Sequence, residues 1–172
     1  MANYYDPVAI GVLAKDYYQL DVSTVTPLMG EVDLNYRVTT TDGTHFTLKV
    51  SQPGQDEKSI RFQYELLVHL AGKQLPFATP QPVGEIVELE EGRLLRLLSW
   101  VPGRMLSDLN PITQDHRLQW GRTAAHLTNA LSDFSHTDAP TDFKWNPRKT
   151  RNSRPWTTSL LQNQDERTTL AW

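Results

Sequence analysis

The 172-residue chain contains no cysteine, which excludes disulfide scaffolds, cysteine-ligated metal sites and thiol nucleophiles. It also lacks long apolar runs, so we expect no segment to span a membrane. Positive charge is not in excess, because 17 Lys and Arg face 20 Asp and Glu, giving a net charge of −3. That balance argues against a nucleic-acid partner. The N-terminus has neither the basic start nor the apolar core of a signal peptide, and we expect a cytoplasmic protein.

Two further kinds of chemistry have little support in the sequence. The five histidines include no pair spaced four residues apart, so we expect no metal site built by this chain. No serine stands in a Gly-x-Ser-x-Gly context, which argues against serine hydrolysis. With 38% hydrophobic and 22% charged residues, the chain has the composition of a globular domain.

The hydrophobic patterns predict an α+β fold of five antiparallel strands with one helix inserted after the third. Asp42-Gly43 separates two β-branched runs and predicts a hairpin in which both turn residues tolerate a positive φ. Alternation along the second arm places Phe46, Leu48 and Val50 on one face and Lys49 on the other. The predicted elements are helix 7–20, strands 22–30, 36–41 and 44–50, helix 56–72, strands 83–89 and 93–100, and helix 113–134.

Lys49 is the first candidate for chemistry, together with the loop at residues 30–35 between the first two strands. A lysine flanked by apolar residues on a central strand is expected to face an anion or a cleft, because burying an unpaired ammonium is costly. In kinase-type folds a lysine on the third strand binds nucleotide phosphates, and the preceding bend covers them. The alternative is a generic α+β domain in which Lys49 is a solvated surface residue.

Three segments together resemble the N-terminal part of the aminoglycoside phosphotransferase family. They are Thr47-Leu48-Lys49-Val50, the helix segment 62–70 (Phe-Gln-Tyr-Glu-Leu-Leu-Val-His-Leu) and the run 96–104 (Arg-Leu-Leu-Ser-Trp-Val-Pro-Gly-Arg). Within that family they are closest to hydroxylysine kinases and to phosphotransferase domains fused to aminotransferases. The resemblance covers about residues 10–146 and implies a protein-kinase-like N-terminal lobe followed by the start of a helical second lobe.

The resemblance implies that ATP or GTP, with Mg²⁺, is the cofactor and that Lys49 anchors its phosphates. A hinge whose backbone binds the base and a loop over the phosphates complete the implied nucleotide site: Ser99, Trp100 and Val101 in the hinge, and Glu31, Asp33 and Asn35 in the loop.

The lysine's usual partner in this fold is a helix glutamate, and here the sequence departs from the family. Gln63 stands at that position, and Glu65 lies two residues further along. Residues two apart on a helix point about 200° away from each other, so both cannot face Lys49. Gln63 carries no charge, and Glu65 and Glu57 are the candidate substitutes.

The family's catalytic His-Gly-Asp-x-x-x-x-Asn loop is not found in this sequence, and His136-Thr137-Asp138 is only a distant counterpart of it. We therefore assign no catalytic residue and expect the chain alone not to transfer phosphate, since substrate binding would need a second lobe. We divide the chain into a kinase-like N-terminal lobe (1–101), a linker with the first helix of the second lobe (102–134), and a polar tail expected to be partly disordered (135–172). The alternative is a non-catalytic binding or regulatory module that associates through an exposed apolar face.

Overall fold

The computed structural model describes residues 5–139. It confirms the predicted kinase-like α+β architecture, with small differences in the ends of the elements. In chain order the elements are α1 (Pro7–Tyr18), β1 (Val22–Leu28), β2 (Leu34–Thr40), β3 (His45–Val50), α2 (Glu57–Ala71), β4 (Pro82–Glu88), β5 (Leu94–Ser99) and α3 (Gln114–Ala130).

The five strands form one antiparallel sheet in the order β1-β2-β3-β5-β4. The β2–β3 hairpin turns at Asp42-Gly43 as predicted, but only Gly43 has a positive φ, of 85°. Asp42 acts through its side chain, since its carboxylate accepts hydrogen bonds from the Thr40 hydroxyl and from the backbone N–H of Thr44. The Thr40 bond is the main reason that the pKa of Asp42 is lowered.

One face of the sheet forms the hydrophobic core with α1. The alternation predicted for β3 is confirmed, because Leu48 and Val50 are fully buried there and Phe46 packs against them. Each large apolar side chain buried in this way contributes about 1.5–3 kcal/mol. The buried members of the core are Ile10, Ala14, Leu34, Tyr36, Val38, Leu48, Val50, Leu95 and Leu97.

Helix α1 begins as the sequence predicts, with Asp6 accepting a hydrogen bond from the backbone N–H of Val8 at 2.9 Å and Pro7 at the first helical position. It ends two residues earlier than predicted, because Gln19 adopts a left-handed conformation with φ of 56°. The end of the helix places Tyr18 beside β4, an edge strand of the sheet.

Strand β4 is irregular between Val83 and Val87, and tyrosines from both α1 and α2 bind its backbone there. The Tyr18 hydroxyl donates to the carbonyl of Glu85 at 3.0 Å, and the Tyr64 hydroxyl donates to that of Gly84. Gly84 has a φ of 68°, and a Cβ there would lie 3.1 Å from the Tyr18 ring. Burial, and secondarily the charge of Tyr64, raises the pKa of Tyr18. Tyr18 therefore stays a neutral donor.

Helix α3 differs from the prediction in its end and in its burial. Thr113 caps the helix, which ends at Ala130 and not at Phe134. Helical periodicity over 113–134 predicts a buried stripe of Leu118, Ala125, Leu127, Leu131 and Phe134. This prediction is wrong at Leu118 and Ala125, which are exposed, whereas the other three are partly buried. Periodicity overestimated the burial because α3 makes no extensive contact with another described helix or strand.

The segment 131–138, which follows α3, folds back onto α2. His69 donates from Nε2 to Asp133, and Lys73 forms an ion pair with the same carboxylate at 2.7 Å. His136 donates from Nε2 to Glu65 at 2.9 Å. The rings of Phe62 and Phe134 pack together with those of the two histidines. The Lys73 hydrogen bond is the main reason that the pKa of Asp133 is lowered.

Most of the predicted polar tail, residues 140–172 of the 135–172 segment, lies outside the described residues. The domain boundaries at 101 and 134 and the disorder of the tail stay predictions. Among the helices of residues 5–139, none combines the length and the apolar character needed to cross a bilayer.

Candidate functional site

The candidate site lies on the face of the sheet opposite α1, where Lys49 is the central residue. In the strand register Lys49 pairs with Asn35 of β2 on one side and with Arg96 of β5 on the other. Directly paired residues on neighbouring strands point to the same face with their Cβ atoms about 4.5–5.5 Å apart. The topology therefore brings two cations, Lys49 and Arg96, side by side.

Asp33 contacts both cations through one oxygen atom. Its Oδ2 lies 3.0 Å from the Lys49 Nζ and also contacts the Arg96 Nη2. The side chains of Asp33 and Arg96 are only 8% and 4% exposed, whereas that of Lys49 is 25% exposed. Arg96 and Asp33 thus form a buried ion pair, and Lys49 is the member of the cluster that can reach a ligand.

Helix α2 contributes a neutral group to this cluster. Arg96 Nη1 donates to Gln63 Oε1 at 3.2 Å, so Gln63 faces the site but contacts the arginine. A cavity of about 220 Å³ separates the helix from the sheet at this point. It is lined by Lys49, Gln63, Tyr64, Leu66, Leu67, Arg96 and Leu98. With two cations and one carboxylate, the cluster has a net charge of +1 and is suited to an anion.

The chain enters the site through a close turn at Gly30. The Asn35 side chain donates to the Asp33 carbonyl at 3.1 Å, and a Cβ at position 30 would overlap both groups. Glycine is therefore required by the close approach of these groups. Asn35 lies inside β2, which corrects its assignment to a loop, whereas Glu31 is exposed in the turn and Asp33 immediately precedes the strand.

The predicted hinge begins where β5 ends. Ser99 is the last residue of β5, and its backbone N–H and side chain bind Gln81 at 2.8 Å each. Trp100 follows, with the guanidinium of Arg37 lying 5.7 Å from its ring centroid and His45 at its edge. Val101 is partly buried. In the strand register Ser99 pairs with Phe46, so its side chain lies on the core face, opposite Lys49. The role of the hinge segment in binding a base stays a prediction.

The substitutes considered for the helix glutamate do not contact Lys49. Glu57 forms an ion pair with Arg61 at 2.7 Å, and Glu65 accepts the hydrogen bond from His136. Neither glutamate is the partner of Lys49, for a physical reason. Gln63 faces the sheet, and Glu65 and Glu57 lie about 160° and 120° away from it around the helix, with side chains 58% and 55% exposed. The loop carboxylate of Asp33 takes their place.

One residue of the site, Arg96, could not be assigned as functional from the sequence. It stands in Leu94-Leu95-Arg96-Leu97-Leu98, where a single charge in an apolar strand was the one available signal of a buried ion pair.

The ammonium of Lys49 has a buried partner, Asp33, which argues against the alternative of a solvated surface lysine. Over residues 5–139, no three His, Asp or Glu side chains are grouped closely enough to hold a metal ion.

Comparisons with known proteins agree with this geometry. Residues 24–171 match the phosphotransferase enzyme family, a longer match at the C-terminal end than the motifs alone indicate. The chain is 28% identical over 138 residues to a hydroxylysine kinase of Danio rerio, covering 72% of this chain but 38% of that protein. The chain thus spans well under half the length of that relative.

Two solved structures share the fold. An amicoumacin kinase in complex with AMP-PNP, Ca²⁺ and Ami gives a TM-score of 0.67 at 15% identity, over 92% of this chain and 55% of its own. A spectinomycin phosphotransferase in complex with ADP and spectinomycin gives a TM-score of 0.55 at 13% identity, over 92% of this chain and 48% of its own. Because the family match covers most of the sequence, and the fold and the cationic cluster agree with it, the chain belongs to the phosphotransferase enzyme family.

Proposed function

We propose that the chain is the nucleotide-binding portion of a small-molecule phosphotransferase that transfers phosphate from ATP or GTP to a substrate hydroxyl. The observation that carries this proposal is the partly exposed Lys49 ammonium beside a buried Asp33–Arg96 pair. A cluster with one spare positive charge is suited to phosphate oxygens. The similarity to a hydroxylysine kinase favours an amino compound with a hydroxyl group as acceptor.

In this proposal each part of the site has one task. Lys49 contacts the phosphates, and the turn at Gly30 with Glu31 and Asp33 lies over them. The backbone of residues 99–101 binds the base. Mg²⁺ accompanies the nucleotide and neutralises phosphate charge. We assign its protein ligands to a second lobe.

We propose further that the chain alone does not transfer phosphate. Proton removal from the acceptor hydroxyl needs a positioned general base, and the sequence contains no His-Gly-Asp-x-x-x-x-Asn loop. His136, the nearest counterpart, has another task, because its Nδ1 accepts from the Asp138 N–H and its Nε2 donates to Glu65. Incubation with hydroxylysine and labelled ATP should give no phosphorylated product, and measurable turnover would contradict this part of the proposal.

Nucleotide binding is tested by calorimetric titration of Mg-ATP and Mg-GTP into the wild-type chain, Lys49→Ala and Lys58→Ala. Lys58 is the matched control, because it is 73% exposed on α2 and its partner Asp138 lies 3.7 Å away, outside the cluster. We expect saturable binding that weakens at least about tenfold in Lys49→Ala and is unchanged in Lys58→Ala. Equal binding by all three proteins would refute the role of Lys49, and no binding by the wild type would refute the function.

A second candidate function is a non-catalytic module that associates with a partner through α3. It is favoured by the burial of this helix: none of its side chains is fully buried, and Leu118 and Trp120 are 50% and 55% exposed. Sedimentation velocity at increasing concentration tests it, because association through α3 should be reduced by Trp120→Ser. A monomer at all concentrations would argue against self-association.

A further inference from the structure

We propose that Arg96 is a positioning residue of the nucleotide site: it keeps Asp33 neutralised, so that Lys49 can leave this carboxylate for the phosphate of a bound nucleotide. This inference rests on the proposed function. It concerns a residue on β5 that reaches the phosphate only through Asp33 and Lys49.

The contacts of the two cations differ in a way that supports this division of tasks. Both approach the same oxygen, Asp33 Oδ2. Arg96 is also held by Gln63 at 3.2 Å, and its side chain is 4% exposed, so it is fixed on two sides and cannot turn to solvent. Lys49 contacts Asp33 at 3.0 Å, and a quarter of its side chain is exposed. Lys49 is therefore the mobile member of the cluster.

The energetic argument concerns the carboxylate that Lys49 leaves behind. A buried carboxylate without a counter-ion is strongly unfavourable, so a lysine that was its sole partner would be retained by it. Because Arg96 stays with Asp33, the carboxylate remains paired when Lys49 moves to a phosphate. Without Arg96, Asp33 would compete with the nucleotide for Lys49.

The uncharged Gln63 fits the same arrangement. A glutamate at position 63 would add a second carboxylate to the cluster and cancel its net charge of +1. The glutamine instead accepts a hydrogen bond from Arg96 and orients the guanidinium fork without changing the charge. The site thus keeps one positive charge available to the ligand.

This reasoning makes a distinctive prediction for paired variants. Removing the charge of Arg96 alone should trap Lys49 on Asp33, whereas removing both charges should release it. An arginine that contacts the phosphate directly would behave differently, because the second substitution could not restore the lost contact. A purely structural role would change stability without restoring affinity in the double variant.

The experiment titrates Mg-ATP into the wild-type chain, Arg96→Gln, Arg96→Lys and Asp33→Asn/Arg96→Gln, with Lys58→Ala as control. We expect Arg96→Gln to bind about tenfold more weakly than wild type, and the double variant to return to within about threefold of it. The affinity of Arg96→Lys should lie between those of Arg96→Gln and the double variant, because lysine keeps the charge but lacks the planar guanidinium that contacts both Asp33 and Gln63. Lys58→Ala should bind Mg-ATP with the affinity of the wild type.

The outcomes separate this inference from the proposed function. Two results would overturn this inference and leave the proposed function standing, provided that the wild type binds Mg-ATP. One is a double variant that binds as weakly as Arg96→Gln, and the other is an unchanged affinity in Arg96→Gln. Failure of the wild type to bind would overturn both. If circular dichroism shows Arg96→Gln to be unfolded, the neutral double variant decides: affinity within threefold of wild type supports the inference, and a tenfold loss overturns it.

Discussion

Replacement of Asp33 by alanine should destabilise the fold much more than replacement of Lys49, although the two residues form one ion pair. Asp33→Ala leaves the guanidinium of Arg96, which is 4% exposed, with Gln63 as its remaining partner. Removing one member of a buried pair costs about 3–5 kcal/mol. Lys49→Ala leaves the Asp33–Arg96 pair intact and removes one charged hydrogen bond, which corresponds to about 1.5–3 kcal/mol.

The assay is urea denaturation of the whole chain followed by circular dichroism, with midpoints compared at equal slope. A loss of about 3–5 kcal/mol is a large part of the 5–15 kcal/mol that stabilises a typical domain, so Asp33→Ala should shift the midpoint strongly. The double variant Asp33→Ala/Arg96→Met is the control. It removes both charges, and it should be more stable than Asp33→Ala alone.

Two results would refute this reasoning. Equal losses for Asp33→Ala and Lys49→Ala would show that Arg96 does not depend on Asp33. The free energy lost in the double variant should also differ from the sum of the losses in Asp33→Ala and Arg96→Met measured singly, because contacting residues deviate from additivity by about 0.5–3 kcal/mol. A loss equal to that sum would show that Asp33 and Arg96 are not coupled.

Two other predictions concern the edges of the lobe. Tyr18→Phe should lower the free energy of unfolding by about 1–3 kcal/mol in the same urea assay, because the carbonyls of Glu85 and Leu95 lose a donor. A change below about 0.5 kcal/mol would argue that water replaces the hydroxyl. The lowered pKa of Asp133 means that its contribution to stability is fully present above its ordinary value of 3.8 and is lost as pH falls through the lower, folded value. Urea midpoints between about pH 2 and 5 should therefore rise with pH in the wild type and rise less in Lys73→Met, and equal profiles would contradict the assignment of Lys73 as the main cause.

The fold could be predicted from the sequence because its signals are local. The Asp42-Gly43 turn and the alternation of Phe46, Leu48 and Val50 each act within a few residues. The irregularity of β4 was not predictable in this way. Gly84 within the strand is the one local sign of a bulge. The tyrosine hydroxyls that bind the backbone of Gly84 and Glu85 come from two separate helices, and no pattern within the strand indicates them.

The site was predictable in part for the same reason. Lys49 could be selected from its position on the third strand, but its partner could not, because Asp33, Lys49 and Arg96 converge from three separate parts of the chain. The helix position suggested Gln63 or a neighbouring glutamate as the partner. Which carboxylate faces the lysine depends on the rotation of α2 on the sheet, and sequence spacing does not determine that rotation.

The counter-ion of Lys49 is Asp33, so α2 is connected to the sheet without an ion pair to this lysine. The charge that balances Lys49 lies beside β2. Helix α2 contacts the sheet through uncharged side chains, since Gln63 accepts a hydrogen bond from Arg96 and Tyr64 donates one to the Gly84 carbonyl. The segment 131–138 is instead bound by charged groups, which are Glu65 of α2 with His136 and Lys73, just after the helix, with Asp133. A displacement of α2 relative to the sheet would therefore leave the Lys49–Asp33 pair intact, whereas a carboxylate on the helix would carry the lysine's partner away. Residues of the sheet and of the turn before β2 hold Lys49 in place, and the helix is tied by charge to the segment that follows α3.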